Sequence, residues 1–283
     1  MLIEPTTERV EAYLDTAYTL SLDPTRSGYP TYTDGIKTRE DFEETIQRGL
    51  HHPERQILLF VNEGRTEGLI HFYFLPEERY LQTVLFSIAG STSRALAEFE
   101  AYCMERFPGY DVILGFPADN TEAVSYLSQN GWDCIERSYN DVLHFQDYRL
   151  REESGDILRV TRENFGDFRC LHQSVEGTMF WNSNRIFEKL DQWIIWLYRR
   201  EGAPAAAIYY KDAQILTEIF GVDFAGNRFD REAFQLLTVK ALNACKRGGC
   251  RHIVFFNDGE SQQAALDCGF TCVGEYVAFQ KKV

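Results

Sequence analysis

Asp119-Asn120-Thr121-Glu122-Ala123, running on to Asn130-Gly131-Trp132, has an echo later in the same chain: Asn257-Asp258-Gly259-Glu260-Ser261, running on to Cys268-Gly269-Phe270. Gly131 and Gly269 are 269 − 131 = 138 residues apart, and the pairs Glu122/Glu260 and Cys134/Cys272 keep that offset. A period of this length is too long for a solenoid unit and describes two copies of one domain. Upstream the offset carries Glu63-Gly64 onto Glu201-Gly202, Ile57 and Leu59 onto Ile195 and Leu197, and Ile70 onto Ile208. At the same spacing Val84 falls on Val222 and Phe86 on Phe224. A helical stripe, Leu96, Phe99, Cys103, Met104 and Phe107, becomes Phe234, Leu237, Ala241, Leu242 and Cys245, apolar throughout. The chain is a tandem duplication.

Apolar periodicity and turn residues order each copy. Val10, Tyr13, Leu14 and Ala17 make an amphipathic helix, and Thr38 caps a second one containing Phe42 and Ile46. Between them, residues 23–35 carry prolines, glycines and no period, as a loop does. Residues 56–62 and 68–74 form a hairpin about Glu63-Gly64-Arg65, and 81–88 adds a strand. The striped helix, a buried strand at 112–116 and a helix over 121–130 ended by Gly131 follow. Two closing strands are expected, near Cys134 and over 142–145.

The second copy predicts a strand at 156–160, helices around Phe165–Leu171 and 185–190, and strands at 193–199, 204–210 and 214–224. Helix 230–247, strand 251–256, helix 259–268 and strand 272–281 complete it. The fold class is therefore α+β, with a mostly antiparallel sheet flanked by helices in each of two tandem domains. The polar, glycine-terminated stretch 149–155 divides residues 1–148 from 156–283.

With 283 residues, 44% hydrophobic and 14% aromatic, the chain can build two packed cores. A formal charge of −14 argues against nucleic-acid and anionic-membrane partners and suits a cationic one, such as an amine. No apolar run approaches the roughly 20 residues of a bilayer span. The start of the chain lacks the basic and apolar regions of a signal peptide. Seven cysteines, mostly at apolar positions, fit buried thiols in a reducing compartment. A soluble, cytoplasmic protein is expected. Cys245, Cys250, Cys268, Cys272 and His252 are spaced too loosely for a zinc knuckle, so no metal is expected. Cys170 and His172 diverge on one helix and make no nucleophile pair.

This order of elements resembles the GNAT superfamily of acyl-CoA-dependent N-acyltransferases. The sharper likeness is the family's Asn-x-x-Ala-x7-Gly-aromatic signature, kept in Asn120, Ala123, Gly131 and Trp132 and softened to Asp258, Ser261, Gly269 and Phe270. The resemblance implies that acetyl-CoA is the co-substrate and that its pantetheine lies between splayed fourth and fifth strands, beside Val222 and Asn257. Its pyrophosphate would meet the next helix start, where free amides and the helix dipole favour anions. The family's Arg/Gln-x-x-Gly-x-Gly/Ala loop is Arg228-Phe229-Asp230-Arg231-Glu232-Ala233 in the second copy. Arg228 and Ala233 fit the pattern; Arg231 replaces a glycine. In the first copy the loop is Gly90-Ser91-Thr92-Ser93-Arg94-Ala95, without the leading Arg.

By the same resemblance Glu218 on the fourth strand is the general base that deprotonates the amine. The family's acid position holds Leu127 and Ala265, leaving Tyr126 and Tyr276 as neighbouring substitutes. Met179, Phe180 and Trp181 would border the acceptor site. The expectation is transfer of an acetyl group from acetyl-CoA to a primary amine of a small molecule or peptide, by direct attack. The second copy would be the catalytic one. The first would be structural, or would hold the coenzyme through Gly90, Ser91, Thr92, Ser93 and Asn120. The rival is a non-catalytic ligand- or partner-binding protein whose phosphate loops have decayed.

Overall fold

A computed structural model describes residues 1–29, 32–177, 179–211 and 216–283. The chain runs β1 (Leu2–Ile3), α1 (Thr7–Ser21), α2 (Arg39–His51), β2 (Arg55–Asn62), β3 (Arg65–Leu75), β4 (Tyr80–Ile88), α3 (Thr92–Arg106), β5 (Asp111–Pro117), α4 (Thr121–Gln129) and β6 (Asp133–His144). It continues β7 (Asp156–Arg159), α5 (Phe165–His172), α6 (Ser183–Glu188), β8 (Trp193–Arg200), β9 (Ala203–Lys211), β10 (Leu216–Phe224), α7 (Arg231–Arg247), β11 (His252–Asn257), α8 (Gln262–Cys268) and β12 (Thr271–Lys282). This is the α+β class expected, helices on a mixed but mostly antiparallel sheet. Of the strand expected at 214–224, Gln214 and Ile215 lie outside the described residues.

Local chemistry sets the element ends. The Glu63-Gly64 and Glu201-Gly202 turns both hold positive φ at both residues (48° and 78°, 53° and 82°), which joins twisted strands in a tight hairpin. Thr38 closes a capping box with Asp41. Gly131 and Gly269 follow α4 and α8 in the left-handed region, at φ 73° and 107°.

The chain divides into two compact units, but not at the 149–155 boundary. One unit is Met1–Arg137 with Gly274–Val283; the other is Ser138–Val273. The reason is strand exchange. The last strand of the sequence, β12, pairs antiparallel with β5, from Tyr276↔Pro117 to Lys282↔Asp111. β6, a single strand in place of the two expected, pairs with β11 from His252↔His144 to Asn257↔Tyr139. The N-terminal unit therefore has strand order β1-β2-β3-β4-β5-β12, and the C-terminal unit β6-β11-β10-β9-β8-β7.

Each sheet is covered on both faces, which is why its strands are nearly continuous apolar runs. In the N-terminal unit Phe42 and Ile46 of α2, with Val10 and Ala17 of α1, pack on Ile57, Leu59, Leu69 and Leu85. Leu96, Phe99 and Cys103 of α3 cover Leu58, Phe60, Ile70 and Phe86, joined there by Val277 and Phe279 of β12. In the C-terminal unit α5 and α6 cover the face of Ile195, Leu197 and Tyr209. Phe234, Leu237 and Leu242 of α7 cover that of Ile208, Tyr210 and Ile253.

One slip interrupts the repeat. Ile70 pairs with Phe86 and its counterpart Ile208 with Val222, so Phe86, not Val84, is the equivalent of Val222.

A fragment ending at residue 148 lacks β12 and bares β5, and with it the places of Val277 and Phe279. Alone it is expected to show no cooperative thermal transition, and co-expression with 149–283 is expected to restore one. A monomeric fragment that melts cooperatively would contradict the exchange.

Candidate active site

In both units the two parallel strands at the centre pair only partway. β4 and β5 are in register at Tyr80↔Asp111, Leu81↔Val112 and Gln82↔Ile113, and then separate. A bulge at Val84, between the pairs of Thr83 and Leu85 with β3, bends β4 away at that point. β10 and β11 pair from Leu216↔His252 to Ile219↔Phe255, and β10 bulges at Phe220.

The N-terminal cleft is filled by the chain itself. Residues 26–29, part of the loop before α2, lie in it as a short extra strand. Gly28 N donates to Phe86 O (2.7 Å), Ile88 N to Arg26 O (3.0 Å) and Tyr29 N to Gly115 O (2.8 Å). Gly28 leaves little room for a side chain, since a Cβ would stand 3.0 Å from Phe86 Cβ and 3.1 Å from Gly115 O, and both neighbours would have to give. Asn120, fully buried, caps α4 by accepting from Ala123 N and donates to Ser27 O.

The start of α3 is filled as well. Glu122 Oε1 accepts from Ser91 Oγ (2.7 Å), Ser93 N (2.9 Å) and Ser93 Oγ (2.8 Å). Burial pushes this carboxyl up, yet those bonds outweigh it and hold it below the ordinary glutamate value. Gly90 packs against Glu67, whose carboxylate would meet a Cβ, and Thr92 is buried in the first turn. Of the groups expected to cradle phosphate in this half, Ser91, Ser93 and Asn120 are thus engaged within the chain by a carboxylate and a peptide segment, Gly90 is packed on Glu67, and the buried Thr92 hydroxyl has no hydrogen-bond partner among the described residues.

The C-terminal cleft is built alike and left open on the β10 side. By register, Val222 and Phe224 are the counterparts of Phe86 and Ile88. Among the described residues no hydrogen bond satisfies the Val222 carbonyl or the Phe224 amide on that edge. Glu218 lies on β10 one residue before the paired region ends, half-buried, opposite Lys211 of β9. Asn257, at the end of β11, is buried, donating to Asp141 Oδ2 (3.2 Å) and accepting from Ser261 Oγ. Its side chain therefore braces the cleft wall.

The loop into α7 carries mixed charge. Arg228 is exposed. Asp230 caps the helix by accepting from Ala233 N (3.0 Å) and pairs with Arg200 (2.7 Å), which holds its carboxyl below the usual range. Arg231 is ion-paired with Asp267.

Tyr276 sits elsewhere. Strand exchange places it in the N-terminal unit, edge-on to Tyr29 at 4.6 Å and over Gly115, so strand pairing does not set it beside Glu218. The tyrosine that exchange brings to the C-terminal unit is Tyr139, opposite Asn257.

A buried pair that the sequence did not single out adjoins β10. His172 Nδ1 meets Asp223 Oδ2 at 2.7 Å, and Nε2–H donates to Trp181 O at 2.9 Å. A carbonyl only accepts, so Nε2 carries a hydrogen, and the 2.7 Å contact needs a second proton between ring and carboxyl. Burial lowers the proton affinity of His172, but Asp223 outweighs it and the net shift is upward; burial raises Asp223. The dyad holds its proton and fixes the Trp181 loop. Seven free cysteines include buried Cys103, Cys245, Cys250 and Cys268. Among the described residues no group of three or more His, Cys, Asp or Glu side chains is placed to hold a metal, and no helix is long and apolar enough to cross a membrane.

Gly28→Val should cost about 1–3 kcal/mol by overpacking, read as a lower urea midpoint; an unchanged midpoint would mean the segment is not seated in the cleft. For the dyad, both pKa values are raised on folding, so folding takes up protons. The Asp223 contribution is full below 3.8 and is lost as pH rises through its own raised value; the His172 contribution is full below 6.5, the ordinary histidine value, and is lost in the same sense through the folded one. The melting temperature should therefore fall more steeply above that pH in the wild type than in a His172→Gln/Asp223→Asn double variant. Parallel profiles would contradict the shared proton.

No family model matches the chain, and no curated protein matches it in sequence. Solved structures do. A GCN5-related N-acetyltransferase from Sphaerobacter thermophilus superposes with a TM-score of 0.63 at 15% identity, over 100% of this chain and 95% of that one. A tandem GNAT protein from the clavulanic acid biosynthesis pathway does so with a TM-score of 0.56 at 12% identity, over 100% and 98%. A GCN5-related N-acetyltransferase from Kribbella flavida gives 0.53 at 14%, over 84% and 93%. Identities this low speak to architecture: the chain has the GNAT superfamily fold in its tandem form.

Proposed function

We propose that the chain is an N-acetyltransferase, moving an acetyl group from acetyl-CoA to a primary amine of a small molecule or peptide, and that the C-terminal unit does the chemistry. The observation that carries this reading is the contrast between the two clefts. In one, an extended segment with peptide amides bonds to Phe86 and Ile88. In the other, the equivalent Val222 and Phe224 present the same acceptor and donor with no partner among the described residues. Pantetheine offers two amides on a thin, extended chain, so it suits an edge that elsewhere binds a peptide.

Glu218 is the proposed base. It stands where the strands part, half-buried, and can take a proton from an ammonium so that the amine attacks the thioester directly. An acceptor that arrives as a cation is also favoured by a net charge of −14. The pyrophosphate fits less well. Asp230 already caps α7, which leaves Arg228 as the exposed cation of that loop, with Arg231 and the Ala233 turn beside it. Modest coenzyme affinity follows. The N-terminal unit is proposed to be structural, its cleft and helix start closed by residues 26–29 and Glu122.

Calorimetry with acetyl-CoA, followed by turnover of a panel of primary amines, tests the reading. Glu218→Gln should lower kcat by roughly 10²–10⁴ and leave the heat of coenzyme binding intact. No heat at millimolar coenzyme would favour the non-catalytic alternative, and undiminished turnover in Glu218→Gln would remove the base assignment alone.

A further inference from the structure

On the α5/α6 face of the C-terminal sheet, the Lys211 ammonium is enclosed by aromatic rings. Its Nζ lies 3.5 Å from the ring centroid of Trp181, 4.9 Å from that of Trp193 and 5.5 Å from that of Phe220. Trp193 and Phe220 stack edge-on at 5.0 Å, and Trp181 meets Trp193 at 5.4 Å. The enclosure is held from behind, since His172 fixes the Trp181 carbonyl. Glu218 and Trp193 are the register partners of Lys211 on the strands to either side, so all three project from the same face. Phe220 is the bulge at which the cleft opens.

Two features of this box suit chemistry at the amine better than a resting ion pair. Burial lowers the Lys211 proton affinity, as does nearby Lys189, and Glu218 only partly offsets them. The indole N–H of Trp193, in turn, is buried without a hydrogen-bond partner among the described residues. A buried donor left unmet costs about 1–3 kcal/mol. It calls for an acceptor oxygen, which an ammonium does not supply and an amide does.

We propose that Lys211 is a self-acylation site: its Nζ accepts the acyl group of an acyl thioester, giving an amide whose carbonyl takes the Trp193 N–H. This rests on the proposed acyl-CoA use. The Nζ lone pair attacks the thioester carbonyl, forming a C–N bond as the C–S bond breaks. Glu218 takes one proton from the ammonium to free that lone pair, and the second proton shed by the nitrogen goes to the leaving thiolate, which departs as the free thiol. The product is neutral and amphipathic and fits an apolar box with one polar contact. Charge on Lys211 disappears in the step, so the box exchanges cation–π contacts for a hydrogen bond.

The test is site-resolved mass spectrometry of the intact wild-type protein incubated with acetyl-CoA, with calorimetry run in parallel. Lys211 is expected to gain one acetyl group roughly a hundredfold faster than exposed Lys282, and Glu218→Gln should remove most of that lead. Lys211→Arg should abolish the fast phase while the heat of coenzyme binding persists, with a melting curve confirming the fold. Coenzyme binding with Lys211 no faster than Lys282 overturns this proposal and leaves the proposed function standing. Absence of coenzyme binding overturns both.

Discussion

A parallel strand pair that stops pairing partway must account for the backbone groups it leaves behind. Beyond Gln82 and Ile113 in one unit, and beyond Ile219 and Phe255 in the other, carbonyls and amides face a gap inside the protein. Buried backbone groups without partners are rare and costly, so such a gap is filled by chain, by water or by a ligand. The duplicated fold shows two outcomes of that requirement. The N-terminal copy recruits residues 26–29, and Gly28 is the residue small enough to pass between Phe86 and Gly115. In the C-terminal copy the edge of Val222 and Phe224 has no hydrogen-bond partner among the described residues.

The same division governs charge. At the start of α3 the amide and hydroxyls that would attract an anion are met by Glu122, an anion from the next helix. At the start of α7 the capping carboxylate is Asp230, drawn toward Arg200. In each half a carboxylate meets the helix start; both loops also carry an exposed arginine, but Arg94 of the first is bonded to Asn62 and paired with Glu98, whereas Arg228 belongs to the second.

Local features were legible from the residues alone. Glu63-Gly64 and Glu201-Gly202 specify their turns by the backbone angles glycine permits, and the stripe from Leu96 to Cys103 specifies a helix packed on one side. Strand exchange was hidden for a definite reason. The strands at Cys134 and Cys272 are copies, so their patterns say what kind of strand each is and not which sheet it completes. The two-residue slip in β4 was hidden because it arises from turn length: eight residues separate the paired Tyr73 and Gln82 and six separate Lys211 and Glu218, while both strands carry an equivalent bulge, at Val84 and Phe220. The plug at Gly28, the His172–Asp223 dyad and the rings about Lys211 join residues far apart in sequence, and no spacing encodes them. Moving Tyr276 to the other unit follows from the exchange alone.

Hydrogen–deuterium exchange with and without acetyl-CoA addresses the asymmetry of the two clefts most directly. The account requires new protection on the amides of 220–224, at the open edge of β10, and unchanged exchange at 86–88 and 26–29. Protection that appears instead at Phe86 and Ile88, with release of residues 26–29, would contradict it by making the filled cleft the competent one.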